Sequence, residues 1–98
     1  MSRRKSYSDT FTGEADNGIR RILEGEENDK GERLRRILLK IINNDLTPRQ
    51  KEIIMLYYFK RMDVVSIADA LGVTPQAVSA AMSRARLRIF RILRYYIM

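Results

Sequence analysis

The chain has 98 residues, with 19 Lys+Arg against 12 Asp+Glu and neither His nor Cys. Without cysteine there are no disulfides, thiol nucleophiles or thiolate metal sites, and without histidine the commonest general base and transition-metal ligand are missing. The length fits one small domain with a tail, and 45% apolar residues suffice for a core of marginal stability. No apolar run approaches membrane-spanning length, and no signal-peptide core follows Ser2-Arg3-Arg4-Lys5. The expectation is a cytoplasmic protein without a membrane partner. A net charge of +7 points toward a polyanion, although charge also serves solubility.

The charge is uneven. Residues 1–31 carry six Lys/Arg and seven Asp/Glu, a net of −1, whereas residues 32–98 carry 13 against five, a net of +8. From Thr74 to the end there are five arginines and no acid. A solvated helix face mixes signs, so one-sided charge favours an anionic partner.

In chain order, residues 1–31 are rich in Ser, Thr, Asp, Glu, Asn and Gly, a composition that reads as a flexible polar arm. Within it, Ile19, Ile22 and Leu23 have helical spacing and predict a short helix over 19–26, with Gly31 as a break. From Glu32 onward Leu34, Ile37, Leu38, Ile41 and Ile42 form one apolar helix face, ended by Asn43-Asn44-Asp45. Thr47-Pro48 with Gln50 predicts a second helix opened by a capping box. Its run Ile53-Ile54-Met55-Leu56-Tyr57-Tyr58-Phe59 is apolar nearly all round, so it is either buried on several sides or lends a face to a partner. Asp63 caps a third, short helix with Val64, Ile67, Ala68 and Leu71 inward, and Gly72 follows as the left-handed C-terminal residue. Thr74-Pro75 opens a fourth helix with no breaker before Met98, either one rod of about 23 residues or two segments bending near Ser83.

Asp63–Arg84 thus reads as a helix-turn-helix, in which Ala68 allows close approach, Gly72 makes the turn, and Val73 and Val78 plug the angle. A plain helical hairpin is the bland alternative. The basic last helix and the polar residues on the second helix favour DNA. The expected fold is all-α, a small bundle of about four helices over residues 32–98, preceded by the arm.

Leu46-Thr-Pro-Arg-Gln-Lys-Glu-Ile-Ile-Met-Leu-Tyr-Tyr-Phe59, Ile67-Ala-Asp-Ala-Leu-Gly-Val-Thr74, Val78 and Ser83-Arg-Ala-Arg86 together resemble region 4 of the sigma-70 family. The resemblance runs without gaps from Leu46 to about Ile89. It implies a helix-turn-helix that recognises the −35 promoter element and touches the RNA polymerase flap. Matched residue by residue, it puts base and phosphate contacts on Thr74, Pro75, Gln76, Ser79 and Ala80, and a backbone contact on Arg49. The "Ile-Ala-x-x-Leu-Gly-Val-Thr" core is shared with other helix-turn-helix regulators, so it marks the superfamily better than the role.

There are departures. Many family members have Arg, Glu or Lys where this chain has Pro75, Ser79, Ala80 and Ala81. Gln76 can still pair bidentately with adenine, and the alanines offer apolar contact to thymine methyls. Specificity is then modest, or shared with DNA shape and a partner protein. Arg61 stands where the family commonly has Gly, as a phosphate contact or a solvated side chain. The residues before Leu46 do not resemble the region that melts the −10 element. The expectation is a stand-alone region-4-like module, not a complete sigma factor.

On a helical wheel, Val78, Met82, Ala85, Ile89, Ile92, Leu93 and Tyr96 form a core arc. Gln76, Ser79, Ala80, Ser83, Arg84, Arg91 and Arg94 form a contiguous face suited to DNA, with Arg88 at its edge. Phe90 and Ile97 widen the apolar arc beyond what one helix needs, leaving a homodimer or polymerase contact as its second use. The leading function is a sequence-directed DNA-binding transcription regulator using double-stranded DNA. The alternative is an adaptor that docks on RNA polymerase through residues 53–59 with little DNA affinity of its own. Membrane-surface binding by the cationic 84–98 helix is a lesser reading. Glu52, Asp63 and Asp69 form no acid/base or Mg²⁺ constellation, so no enzyme, cofactor or metal is expected.

Overall fold

A computed structural model describes residues 13–25 and 28–97 of the protein. Within them lie helices α1 (Gly13–Leu23), α2 (Asp29–Asn44), α3 (Pro48–Ile54, continued by a π turn over Met55–Phe59), α4 (Val64–Leu71) and α5 (Pro75–Ile97). Among the described residues there is no strand, and the fold is all-α.

The starts of α3 to α5 follow from local chemistry. Thr47 Oγ1 accepts from the Gln50 amide at 3.1 Å, and Gln50 Oε1 accepts from the Thr47 amide at 3.1 Å, so two otherwise orphaned donors are satisfied reciprocally. Asp63 Oδ1 accepts from the Ser66 amide at 2.8 Å, and Thr74 Oγ1 from the Ala77 amide at 3.1 Å. Gly72 takes φ 71°, and the amides of Gly72 and Val73 return to the carbonyls of Asp69 and Ala68. Between α4 and α5 the chain turns through 108°, as a helix-turn-helix requires. Helix α5 is one unbroken α-helix of 23 residues that continues through Ser83.

Two expectations for the N-terminal third are replaced by structure. The first concerns Gly31, which is not a break. Asn28 has extended backbone and its Oδ1 accepts from the Gly31 amide at 2.8 Å, so α2 starts at Asp29, with Asp29 and Glu32 favourably placed in its first turn. The second concerns the arm. Its described part forms α1, longer and earlier than the expected 19–26, with Ile19 fully buried in the core. Residues 1–12 of that expected arm lie outside the described residues.

One continuous core joins all five helices. It comprises Ile19 of α1, Leu38, Ile41 and Ile42 of α2, Ile53, Ile54 and Tyr58 of α3, Ile67 and Ala68 of α4, and Val78, Ala81, Met82, Ala85, Ile89 and Leu93 of α5. A Cβ at Gly18 would stand 3.1 Å from Phe90 Cζ, so the missing side chain lets α1 lie close over α5. The apolar arc that looked too wide for one helix is therefore partly covered by α1, with Ile22, Leu23, Phe90 and Ile92 packed against the core. Tyr96 departs from the expected core arc and is 43% exposed. Val73 is exposed as well, leaving Val78 to plug the angle.

A polar cluster crosses this apolar interior. Tyr58 Oη donates to Asp16 Oδ1 at 2.6 Å and accepts from Arg86 Nε at 2.9 Å. Arg86 Nη2 lies 3.5 Å from Asp16 Oδ1, and Arg20 Nε 3.2 Å from Asp16 Oδ2. Tyr57 and Tyr58 meet edge to face at 4.9 Å, with the guanidinium carbons of Arg20 and Arg86 at 5.0–5.9 Å from their ring centroids. The π turn carries both tyrosines, with the Lys60 amide reaching back to Met55. Burial pushes the Tyr58 hydroxyl well above the ordinary phenol range; Arg86 opposes this and Asp16 adds to it. Tyr58 therefore remains a donor to Asp16 at any physiological pH. Helix α1, α3 and α5 are joined through that one hydroxyl.

Candidate DNA-binding surface

The helix-turn-helix sets the first three turns of α5 at the protein surface. Pro75, half-buried, occupies the first helical position, where an amide hydrogen would have no intrahelical partner. Gln76 and Ala80 are exposed, Ser83 is half-buried and Arg84 is exposed. Gln76, Ser79, Ala80 and Ser83 line one shallow concavity, so the structure brings these four together. Thr74 is exposed, with its hydroxyl committed to the helix cap.

Ser79 does not stand on the outer face. It is 4% exposed, and its Oγ has no hydrogen-bond partner. The physical reason is its position about 60° from the centre of the core arc, where packing of the neighbouring helix closes over the side chain. It forms the floor of the concavity, with Gln76 and Ala80 as the reachable wall.

The arginines divide by environment. Arg84 and Arg91 are exposed, and neither has an ion-pair partner among the described residues. Arg88 is exposed, but its Nε donates to the Asp45 carbonyl at the end of α2. That helix has no basic residue in its own last turn, so Arg88 supplies the cation favoured at a helix C-terminus. Arg49, in the first turn of α3, pairs loosely with Glu52 at 3.6 Å, both side chains about half-exposed. It lies on a different element from the α5 face. Arg86, quoted only as part of a family pattern, is 4% exposed and committed to Tyr58 and Asp16. The wheel carried a signal for it: at about 40° from Met82 it falls inside the apolar arc, where a charge needs a buried partner.

Arg61 has φ 59°, the left-handed region, and is the one such non-glycine position among the described residues. The reason glycine is common there is thus visible in the backbone. The Met62 amide returns to the Leu56 carbonyl at 3.1 Å and holds the turn.

Residues 35–89 match the family described as sigma-70, region 4. The chain belongs to that family. No curated protein and no solved structure matches the chain. A sigma-70 region 4 domain is a DNA-binding, RNA-polymerase-associated helix-turn-helix and not an enzyme family. In this region 4 domain the match begins inside α2 and ends inside α5, so α1 and the last two turns of α5 lie outside it. No single helix among the described residues is long and apolar enough to cross a membrane.

Proposed function

We propose that the protein is a cytoplasmic, sequence-directed DNA-binding transcription regulator that places the first turns of α5 in the major groove. The observation that carries this reading is the face of exposed Gln76, Ala80 and Arg84 with half-buried Ser83 on the second helix of the motif, on a helix without a single acid. Gln76 supplies a side chain able to pair bidentately with a base, an adenine by its donor and acceptor pattern. Ala80 offers apolar contact to a thymine methyl. Arg84 and Arg49 hold phosphates, with the start of α5 adding its dipole.

Arg91 contributes less than Arg84. It stands 16 residues beyond Pro75, about 24 Å along the axis at 1.5 Å per residue, twice the width of a major groove. A helix entering by its N-terminus leaves Arg91 outside the groove.

Selection of bound duplexes from a random pool, with and without RNA polymerase, tests the proposal. Enrichment of a common sequence is expected, with affinity falling steeply as salt rises. Equal affinity for selected and random duplexes would sink the sequence-directed part. The adaptor reading predicts capture by polymerase and no shift of any duplex. Of its docking residues 53–59, Ile53, Ile54 and Tyr58 are buried, Met55, Leu56 and Tyr57 are half-buried, and Phe59 is exposed.

A further inference from the structure

At the other end of α5 from the helix-turn-helix lies an open cavity of about 440 Å³, walled by α1, α2 and α5. Its apolar walls are Ile22, Leu34, Phe90 and Leu93, and Arg21, Lys30 and Arg94 also line it. All three cations are exposed, and none has an ion-pair partner among the described residues. Among the described residues, no acid lines the cavity. Space for the cavity comes in part from glycines on α1, on the turn after it and on α2, namely Gly18, Gly25 and Gly31. The volume lies within the range of about 300–1,000 Å³ typical of small-ligand sites, which are also mostly apolar with a few charged groups.

We infer that this cavity binds an anionic amphiphile, a molecule with an apolar chain and a carboxylate or phosphate head. The chain would lie against Phe90, Leu93, Leu34 and Ile22, and the head would meet Arg21, Lys30 and Arg94. Charge complementarity selects this occupant. The protein's own residues 1–12 carry Arg3, Arg4 and Lys5 against Asp9 alone, and a second copy brings a net charge of +7, so both meet the cations with like charge. The occupant would bridge α1, α2 and α5. Because a ligand that binds only the packed state stabilises it by mass action, thermal stability rises with its concentration. The inference does not rest on the DNA reading, since its test contains no DNA.

The test is titration of the full chain with decanoate below its micelle concentration, followed by backbone amide NMR at Gly18, Gly25 and Gly31. Saturable shifts at these glycines are expected, together with a rising Tm. Decanol, which keeps the chain and lacks the charge, binds roughly tenfold more weakly. The exposed triple variant R21Q/K30Q/R94Q loses that advantage while leaving decanol unaffected. Leu34→Trp fills the apolar space and abolishes both responses; the triple variant decides the matter if Leu34→Trp fails to fold. Absence of saturable shifts, or equal affinity for decanoate and decanol, overturns the proposal. So does binding to phosphatidylglycerol vesicles without any response to monomeric decanoate, which would show attraction of a basic surface to a membrane.

Discussion

The two halves of helix α5 give the same residue type opposite work. In the first half Arg84 is exposed, near Gln76 and Ala80, with no ion-pair partner among the described residues. One half-turn later Arg86 is buried, its guanidinium shared among Tyr58, Asp16 and the Met82 sulfur at 3.6 Å. Two residues amount to about 200° around a helix, enough to carry a charge from solvent to interior. The difference teaches that an arginine-rich helix in a basic protein is not one electrostatic surface. Some of its charge holds the fold, and the remainder is available for a partner.

The sharpest break of this comparison is Arg86→Ala against Arg84→Ala. Arg86→Ala leaves Asp16 and Tyr58 without their buried cation and costs about 3 kcal/mol of stability, read by urea unfolding. Arg84→Ala changes stability by less than about 0.5 kcal/mol, and weakens binding to every duplex alike while lowering the salt slope by about one. Equal stability losses at the two positions would erase the distinction.

Gln76→Ala sharpens the first half further. Its expected effect is loss of preference at one base pair of the selected site, worth about 1–3 kcal/mol, with stability unchanged. Arg61→Gly should stabilise the fold by about 1 kcal/mol, because the left-handed backbone there no longer opposes a side chain. A simultaneous loss of DNA affinity in that variant would reveal a phosphate contact by Arg61. Ser79→Ala removes an unpartnered buried hydroxyl and leaves stability within about 1 kcal/mol or raises it, with duplex binding unaltered. A large loss of affinity would bring Ser79 back to the DNA face. The smallest effect concerns Asp63, whose hydrogen bond from the Ser66 amide holds its carboxyl below the ordinary value. A lowered folded value means stabilisation present above about pH 4 and lost as the pH falls through it, and Asp63→Asn should flatten that part of the acid-unfolding profile.

Much of the stretch from Leu46 to Ile89 was legible residue by residue. The caps at Thr47, Asp63 and Thr74 and the turn at Gly72 are short-range devices whose chemistry lies within four residues, and the structure forms each of them. Ile67, Val78, Met82, Ala85 and Ile89 were readable as core because helical period and burial agree. In residues 13–23 the spacing of Ile19, Ile22 and Leu23 predicts a short helix, but neither its start at Gly13 nor the burial of Ile19, since a polar segment joins a core only when another surface covers its few apolar groups. Ile19 is buried because α2, α3 and α5 supply that surface. Nor did local pattern say that Arg88 would cap α2 or that Ser79 would sit on the floor of a concavity. Both depend on an element far away in the chain.

The sequence alone determined the net of +8 on residues 32–98, the helix-turn-helix and its caps, and the exclusion of thiol and imidazole chemistry, because these reside in residue identity and near-neighbour spacing. Only the tertiary structure decided how that charge is divided. Arg86 is drawn inward by Asp16, 70 residues earlier, and Arg88 is drawn to the Asp45 carbonyl, 43 residues earlier. Arg84 finds no such partner and remains at the surface. Coulombic and hydrogen-bonding energies act over a few ångströms of space, whatever the separation along the chain, so which arginines are left for a partner is settled by packing.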